Sequence, residues 1–261
     1  MSTDIVLQIP HSSEIIPSCE RAKLAISDEE LKRELLYMTD RYTDELFDLG
    51  ADAVPISYGY SRLVTDPERF PDNDKNKEPM VKKGMGAVYI STSNGDPLRR
   101  SLTDEEWQRL LQTYYWDHHG RLERSVREAL DGNKQCLIID AHSFPSSPLP
   151  CDRDQTPDRP DICIGTDPCH TPDRLQHAAV NAFRAEGWSV EVNRPYPGTM
   201  VPKDFLHKCD CVHSVMVEVN RALYMDEATG ERSPQFGDVA RKLQHALRTI
   251  IRRFREDHGR V

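Results

Sequence analysis

The sequence has no apolar run that approaches the roughly 20 residues needed to cross a lipid bilayer. Its N-terminus, MSTDIVLQIP, lacks the basic start and apolar middle of a signal peptide. Long runs of Lys and Arg are also missing, and the formal net charge is -9, whereas a nucleic-acid-binding protein usually has a basic face. We therefore expect a cytoplasmic protein that binds neither membranes nor nucleic acids.

Two common catalytic motifs are absent as well. The chain has no Gly-rich phosphate loop and no Gly-x-Ser-x-Gly nucleophile elbow, which argues against the nucleotide and serine-hydrolase chemistries that use them. Cysteine is sparse, with seven in 261 residues. That odd count predicts reduced thiols rather than a disulfide framework.

What the sequence does contain is an alternation of short β-branched runs and long helical patterns. Thr103, with Glu106 three residues later, forms a capping-box pattern, and Ser27 or Asp28 caps an earlier helix. The alternation predicts an α/β, three-layer fold with a mainly parallel or mixed central sheet and helices on both faces. No linker or repeat is visible, so we expect a single domain over 1–261. The predicted strands are 5–9, 53–56, 136–141, 161–165, 188–192 and 215–219, and the predicted helices are 28–49, 103–130, 171–187 and 234–258.

Two stretches, 66–94 and 143–160, are polar, rich in proline and weakly periodic. Both are predicted to be long loops. In open α/β sheets the loops at strand ends usually build the functional site, so these loops are expected to lie beside it.

Two histidines directly follow predicted strands. His11 is followed three residues later by Glu14, and imidazole and carboxylate are common zinc ligands. His142 ends the apolar run that begins at Cys136, and Asp140 points to the same side of the strand, where it can orient the imidazole. Each histidine alone could be a surface or core residue. Two of them at strand ends favour a metal site.

Glu218 lies inside an otherwise apolar predicted strand. A carboxylate there is costly unless it is paired, bound to a metal or functional. Beside a zinc-bound water it would serve as a general base. A salt bridge to Arg221 or another arginine is the alternative.

The third metal position has several candidates. Asp40 and Asp44 are four residues apart on the predicted helix 28–49 and would share one of its faces. Glu14 is a competitor because of its spacing from His11. A solvated helix face is an equally open interpretation for the two aspartates.

Three arginines could recognise anions. Arg62, Arg69 and Arg194 lie in polar segments, and a guanidinium group can bind a carboxylate or stabilise an oxyanion. Each could instead form a surface salt bridge. The prolines of the loop 195–198 make it stiff, which suits the wall of a substrate pocket. Further candidates for lining that pocket are His119, Ser143 and Tyr196.

A weaker signal is the group His207, Cys209, Cys211 and His213. Cys-x-Cys with nearby histidines can bind zinc, but no second cysteine pair has the usual spacing. We interpret this group as structural.

Six ordered motifs resemble the N-formylglutamate amidohydrolase family: IPHSS, TDRYTDELF, SRLVTD, DAHSF, NRPYPG and VEVNR. That family is similar in fold to the zinc carboxypeptidases and the aspartoacylase group. The resemblance implies one zinc ion at the carboxyl edge of an α/β sheet. It implies His11 and His142 as zinc ligands and Glu218 as general base. Arg62, by the same likeness, would stabilise the oxyanion, while Arg69 and Arg194 would hold substrate carboxylates.

For the third ligand the resemblance favours Asp44, which falls in the family pattern Asp-x-Tyr-x-Asp-Glu-Leu-Phe. Glu14 stays a competitor, because zinc carboxypeptidases use the glutamate of His-x-x-Glu. The sequence departs from the family at two places: Ser13 stands where glycine is frequent, and Glu68 stands where the pattern Asp-x-Asn-Arg has asparagine. The second departure lies in a presumed carboxylate-binding element.

The expected reaction is zinc-assisted hydrolysis of an N-acyl amide on a small acidic amino acid. Glu218 would take a proton from the attacking water and pass it to the leaving amine. Two alternatives stay open: a metallopeptidase acting on short peptides or cell-wall fragments, and a catalytically silent binding protein of the same fold. A homo-oligomer is one option for the assembly.

Overall fold

The computed structural model describes residues 3–71 and 79–259. Within them, the strands are β1 (Ile5–Ile9), β2 (Val54–Ser57), β3 (Cys136–Phe144), β4 (Ile162–Gly165), β5 (Val190–Val192) and β6 (Val212–Asn220). These six strands form one sheet in the order β2-β1-β3-β6-β4-β5. The strands β2, β1, β3 and β6 are parallel to one another, whereas β4 runs antiparallel to β6 and parallel to β5. The mixed sheet confirms the prediction.

Helices cover both faces of the sheet. On one face, Phe183 and Leu247 belong to the same apolar cluster as Leu7 of β1. On the other face, Leu122 packs in a cluster with Val6. The three-layer α/β prediction is therefore confirmed, while the likeness to zinc carboxypeptidases stays a prediction. The helices are α1 (Ser18–Arg21), α2 (Asp28–Met38), α3 (Thr43–Leu46), α4 (Asp104–Leu110), α5 (Trp116–Asn133), α6 (Asp173–Ala185) and α7 (Phe236–Asp257).

Every residue of the two central strands β3 and β6 is buried. Nearly continuous apolar runs of this kind are typical of strands covered on both faces. Polar side chains in such strands are conspicuous, and His142 and Glu218 stand directly opposite each other in the register of β3 and β6. The sheet therefore brings these two side chains together.

The predicted helix 28–49 is wrong in its middle. Its first part is α2, capped by Ser27 as predicted. The chain then turns extended at Thr39, with φ -86° and ψ 132°, and left-handed at Tyr42, with φ 67°. The turn is stabilised by a non-local bond, because the backbone N–H of Asp40 donates to the carbonyl of His11 over 3.0 Å. Asp40 and Asp44 consequently do not share a helix face.

The predicted helix 103–130 is confirmed, and the capping box of Thr103 and Glu106 is present. A π-helical turn at Leu111–Tyr115 joins α4 to α5. The predicted loop 143–160 begins two residues late, because β3 continues to Phe144. Within the predicted loop 66–94, residues 72–78 lie outside the described residues, and Pro79–Lys83 form a short 3-10 helix.

The cysteines depart from expectation at one pair. Cys209 and Cys211 are joined in a disulfide, whereas the sequence predicts reduced thiols rather than a disulfide framework. The other five cysteines are free. None of the helices in the described part of the chain is long and apolar enough to span a membrane.

Candidate active site

The carboxyl ends of three parallel strands place the candidate site. His11 follows β1 by two residues, His142 lies near the end of β3, and Glu218 lies near the end of β6. Because β1, β3 and β6 are parallel neighbours, these side chains reach the same edge of the sheet. Asp40 joins them from the turn between α2 and α3.

Three donor atoms converge at this edge. The Asp40 Oδ2 atom lies 3.2 Å from His142 Nδ1 and 3.5 Å from His11 Nδ1. All three residues are buried, and the three atoms lie within 4.8 Å of one another. His11 Nδ1 has no hydrogen-bond partner among the described residues. The arrangement is a nitrogen, oxygen and nitrogen donor set of the type that holds zinc.

Both imidazole rings are oriented from their outer side by carboxylates. His11 Nε2 lies 2.9 Å from Asp66 Oδ1, and His142 Nε2 lies 3.1 Å from Asp140 Oδ1. An ionised carboxylate only accepts hydrogen bonds, so each Nε2 donates a proton to its carboxylate, and each Nδ1 can offer a lone pair to a cation once that nitrogen holds no proton. Two lone pairs and the oxygen of Asp40 then face one point. A cation at that point would satisfy all three.

The balance of charge around the histidines also suits a divalent cation. Five carboxyl groups surround the two rings against three guanidinium groups, so up to two negative charges remain in excess, and fewer when Glu68 and Glu218 hold protons. The carboxyl groups are those of Asp40, Asp66, Glu68, Asp140 and Glu218, and the guanidinium groups are those of Arg62, Arg69 and Arg221.

Asp66 is itself firmly held. Arg62 donates to its Oδ2 atom from Nε and a terminal nitrogen, over 3.1 and 2.7 Å, and the hydroxyl of Tyr89 donates over 2.5 Å. Burial alone would raise the pKa of Asp66, but the charges of Arg62 and His11 hold this pKa well below its usual value. The carboxylate behind His11 is therefore ionised.

Arg221 plays the same part for Asp40. Its terminal nitrogens donate to Asp40 Oδ1 over 2.9 Å and to the carbonyl of Tyr37 over 2.6 Å, and its Nε donates to Ser143 Oγ over 3.2 Å. The guanidinium group is buried, so these contacts fix the carboxylate with Oδ2 towards the histidines. The sequence suggested Arg221 only as a partner of Glu218, and its position directly after the strand was the one available signal.

Glu218 stands beside this group without a salt bridge to Arg221. Its side chain is 7% exposed, and its Oε2 atom has no hydrogen-bond partner among the described residues. Burial raises the pKa of Glu218 to about 7, although the charge of His142 opposes the rise. A buried carboxyl group with a pKa near neutrality can both accept and release a proton.

Glu68, at the position that departs from the family pattern, lies on the outer side of His142. Its carboxyl group accepts a hydrogen bond from Gln8 and lies within 4.8 Å of the ligand-type atoms of Asp140 and His142. Burial, and then the charge of Asp140, raise the pKa of Glu68 to about 8. The departure thus adds a carboxyl group behind one of the two histidines.

Two predicted candidates for the third metal position are not in this group. Asp44 is exposed on α3, and Glu14 forms an ion pair with Arg41 over 2.5 Å. The resemblance favoured Asp44, but the helix breaks at Thr39, which leaves Asp44 exposed and turns Asp40 towards the two histidines instead. Asp40, rather than Asp44 or Glu14, is the carboxylate that lies with the two histidines.

The remaining predicted residues divide into two sets. Arg62, Arg69 and Ser143 adjoin the group: Arg69 Nε lies 3.9 Å from Asp66 Oδ2, and Ser143 accepts a bond from Arg221. His119 contacts the segment between Arg62 and Arg69, since its Nε2 lies 2.9 Å from the carbonyl of Pro67. Burial lowers the pKa of His119 to about 4, so this ring is neutral.

Arg194 and Tyr196 make their contacts elsewhere. Arg194 forms ion pairs with Glu191 and with Asp154, the latter over 3.4 Å. The hydroxyl of Tyr196 accepts a bond from Arg159 over 3.3 Å, and its ring lies 6.0 Å from that of Phe144. Neither residue has a contact with the two histidines in the described structure, so their substrate role stays a prediction.

Comparison with known proteins relates this chain to one family. A family model described as N-formylglutamate amidohydrolase matches residues 3–225. An N-formylglutamate deformylase of Pseudomonas aeruginosa is 28% identical over 197 residues, which are 72% of this chain and 71% of the relative.

Two solved structures share the fold. An N-formylglutamate amidohydrolase from Ralstonia eutropha JMP134 has a TM-score of 0.81 at 23% identity, over 99% of this chain and 95% of that one. A protein from Agrobacterium tumefaciens has a TM-score of 0.69 at 20% identity, over 95% and 92% of the two chains.

Proposed function

The chain belongs to the N-formylglutamate amidohydrolase family, and from this premise we propose that it hydrolyses the amide bond of an N-formyl amino acid such as N-formylglutamate. The observation that carries the proposal is the buried group of His11, Asp40 and His142. Beside this group lies Glu218, which forms no salt bridge to Arg221. The name of the Pseudomonas aeruginosa relative, N-formylglutamate deformylase, supports the choice of substrate.

His11, Asp40 and His142 would hold one zinc ion. Three protein ligands are typical of catalytic zinc, because they leave a further position for water or substrate. When bound, zinc would supply a lowered pKa for water and polarise a carbonyl oxygen. Asp66, Asp140 and Arg221 keep the three ligands oriented, which such a site requires.

Glu218 would carry the proton. It accepts a proton from the attacking water and passes it to the nitrogen of the leaving amine, so that the amine departs neutral. A pKa near 7 suits both transfers, since the group is then neither too weak a base nor too weak an acid. The position opposite His142 in the sheet holds the carboxyl group beside the ligands.

Arg69 is the better candidate for a substrate carboxylate, and Arg62 for supporting the site. The side chain of Arg69 is 27% exposed against 12% for Arg62, and Arg62 already donates twice to Asp66. A bidentate contact from Arg69 would favour acidic amino acids. Arg62 would still add positive charge near a developing oxyanion.

The experiment measures hydrolysis of N-formylglutamate, other N-acyl amino acids and short peptides by the zinc-loaded protein. We expect N-formylglutamate to be cleaved to formate and glutamate with the highest kcat/KM. Glu218→Gln should lower kcat by about 100-fold or more without changing zinc content. The control is Glu34→Gln, because Glu34 is equally buried but bonded to Ser93.

Three outcomes would contradict the proposal. Full activity in Glu218→Gln would remove Glu218 from the mechanism. Preferential cleavage of peptides would favour a metallopeptidase. A zinc-loaded protein that cleaves none of these compounds would favour a binding protein of the same fold.

A further inference from the structure

A second group of metal-ligand side chains lies at the opposite edge of the sheet. Because β4 runs antiparallel to β6, the loop that follows β4 lies near the start of β6. This loop carries Asp167 and Cys169, and His207 reaches it from the segment before β6. From Val212 to Glu218, six residues at about 3.3 Å each place this edge about 20 Å from the candidate active site.

The donor atoms of this group are close enough to share one ion. A carboxylate oxygen of Asp167, the sulfur of Cys169 and a ring nitrogen of His207 lie within 4.8 Å of one another. His207 Nε2 is 2.9 Å from Asp167 Oδ2. The thiol of Cys169 is free and exposed, so it can turn towards the pair without disturbing the core.

Neighbouring contacts hold the pair in position. Asp167 Oδ1 accepts the backbone N–H groups of Cys169 and His170, over 2.8 and 3.1 Å, which leaves Oδ2 for His207. The backbone N–H of His207 donates to Nε2 of the buried His170 over 2.8 Å, and the two rings stack at 5.7 Å. The backbone of His207 lies in the left-handed region, with φ 55°, where residues other than glycine are uncommon.

We propose that Asp167, Cys169 and His207 bind a divalent cation of the zinc class at the protein surface, as a second metal site. One sulfur, one nitrogen and one oxygen donor suit zinc or cobalt, whereas magnesium and calcium prefer oxygen donors alone. On binding, the thiol proton of Cys169 passes to solvent, and the proton on His207 Nε2 is replaced by one on Nδ1.

The Cys-x-Cys pair does not supply the ligands. Cys209 and Cys211 are joined to each other, and His213 Nε2 lies 3.0 Å from the side-chain oxygen of Gln135. His207 therefore does not act together with Cys209, Cys211 and His213. Its partner Asp167 lies 40 residues earlier in the chain.

Cobalt(II) tests the proposal, because thiolate bound to cobalt has a charge-transfer absorption in the near ultraviolet. The candidate active site has no thiolate among its ligand-type atoms, so this absorption reports the second site alone and does not depend on the proposed function. Metal-free protein, prepared without thiol reductant, is titrated with cobalt(II). We expect a charge-transfer band that corresponds to one bound cobalt ion per chain.

Cys169→Ser should lose the band and bind one cobalt ion fewer than the wild type. His207→Ala should weaken binding at the second site by at least about tenfold. Cys19→Ser, which removes another exposed thiol, should keep the band. Circular dichroism melting curves establish that each variant is folded.

A wild-type protein without the band would overturn the proposal. A band that survives in Cys169→Ser, or one that disappears in Cys19→Ser, would also overturn it, because the thiolate would then come from elsewhere.

Discussion

The two ends of the central strands both carry histidines, but the partners of these histidines differ. At the carboxyl ends, His11 and His142 each contact two carboxylates. At the amino end of β6, the buried His170 contacts the carbonyl of Val212, and His213 contacts Gln135. Neutral partners hold a ring in place without attracting a cation, whereas carboxylates on both sides leave negative charge that a cation can neutralise.

His207 is the exception at the amino end. It pairs with the carboxylate of Asp167, as His11 and His142 pair with theirs, but it is exposed. An exposed ion pair is stabilised less than a buried one because water screens it. The comparison therefore predicts a weaker metal site at the amino end than at the carboxyl end.

The largest effect is expected from Asp40→Asn. The substitution removes a proposed ligand and leaves the buried charge of Arg221 without its partner, so zinc affinity should fall by about 100-fold or more. Asp44→Asn is the matched control, since Asp44 is exposed, and should keep the wild-type affinity. Competition with a chromophoric chelator measures both. Equal losses in the two variants would contradict the assignment of Asp40.

A smaller effect is expected from Arg221→Lys. Lysine keeps the charge but cannot donate at once to Asp40, Ser143 and Tyr37 as the guanidinium group does. Zinc affinity should fall by about tenfold, at the lower end of what outer-shell changes cost. Arg99→Lys serves as the control, because Arg99 is equally buried and donates to the carbonyl of Leu63. An unchanged affinity in Arg221→Lys would remove its positioning role.

The smallest effect is a change in folding stability with pH that comes from His213, at the amino end of β6. This effect vanishes at neutral pH. Burial, together with the charges of His258, Arg174 and His170, lowers the pKa of His213 to about 4, although Asp210 opposes the shift. The unfolded chain, with an ordinary pKa of about 6.5, then binds more protons than the folded one between these values. Stability should therefore fall as the pH drops from about 6.5 towards 4.

His213→Gln should reduce this loss, which denaturant unfolding at pH 7 and pH 5 measures. Exposed His177 on α6 provides the control variant His177→Gln, which should keep the wild-type pH dependence. If His213→Gln loses as much stability as the wild type on acidification, another group is responsible.

The strands were predictable because a strand that is buried on both faces has a continuous apolar sequence. β1 agrees with its prediction at both ends, and β3 extends it by three residues to Phe144. The helix ends marked by Ser27 and Thr103 were predictable because capping is local. The break at Thr39 was not, because the backbone bond from Asp40 to His11 joins residues that are distant in sequence.

The candidate site shows the same division. His11, His142, Asp140 and Glu218 were visible as polar residues at the ends of apolar strands. The resemblance favoured Asp44 over Glu14 for the third position, and the spacing that put Asp40 and Asp44 on one face holds only for an unbroken helix. The orienting contacts of Asp66 and Arg221 were invisible, since they span 55 and 181 residues.

By itself, then, the sequence determined the α/β layering, the strand ends that carry the histidines and the resemblance to the family. Each of these follows from patterns among residues that are close together in the sequence. Tertiary structure alone decided that Asp40 faces the two histidines, that Arg221 holds Asp40 and Asp66 holds His11, and that His207 meets Asp167 and Cys169. These pairings depend on how the chain folds back on itself, and the physical reason is that hydrogen bonds and charges act over a few ångströms in space, whatever the separation along the chain.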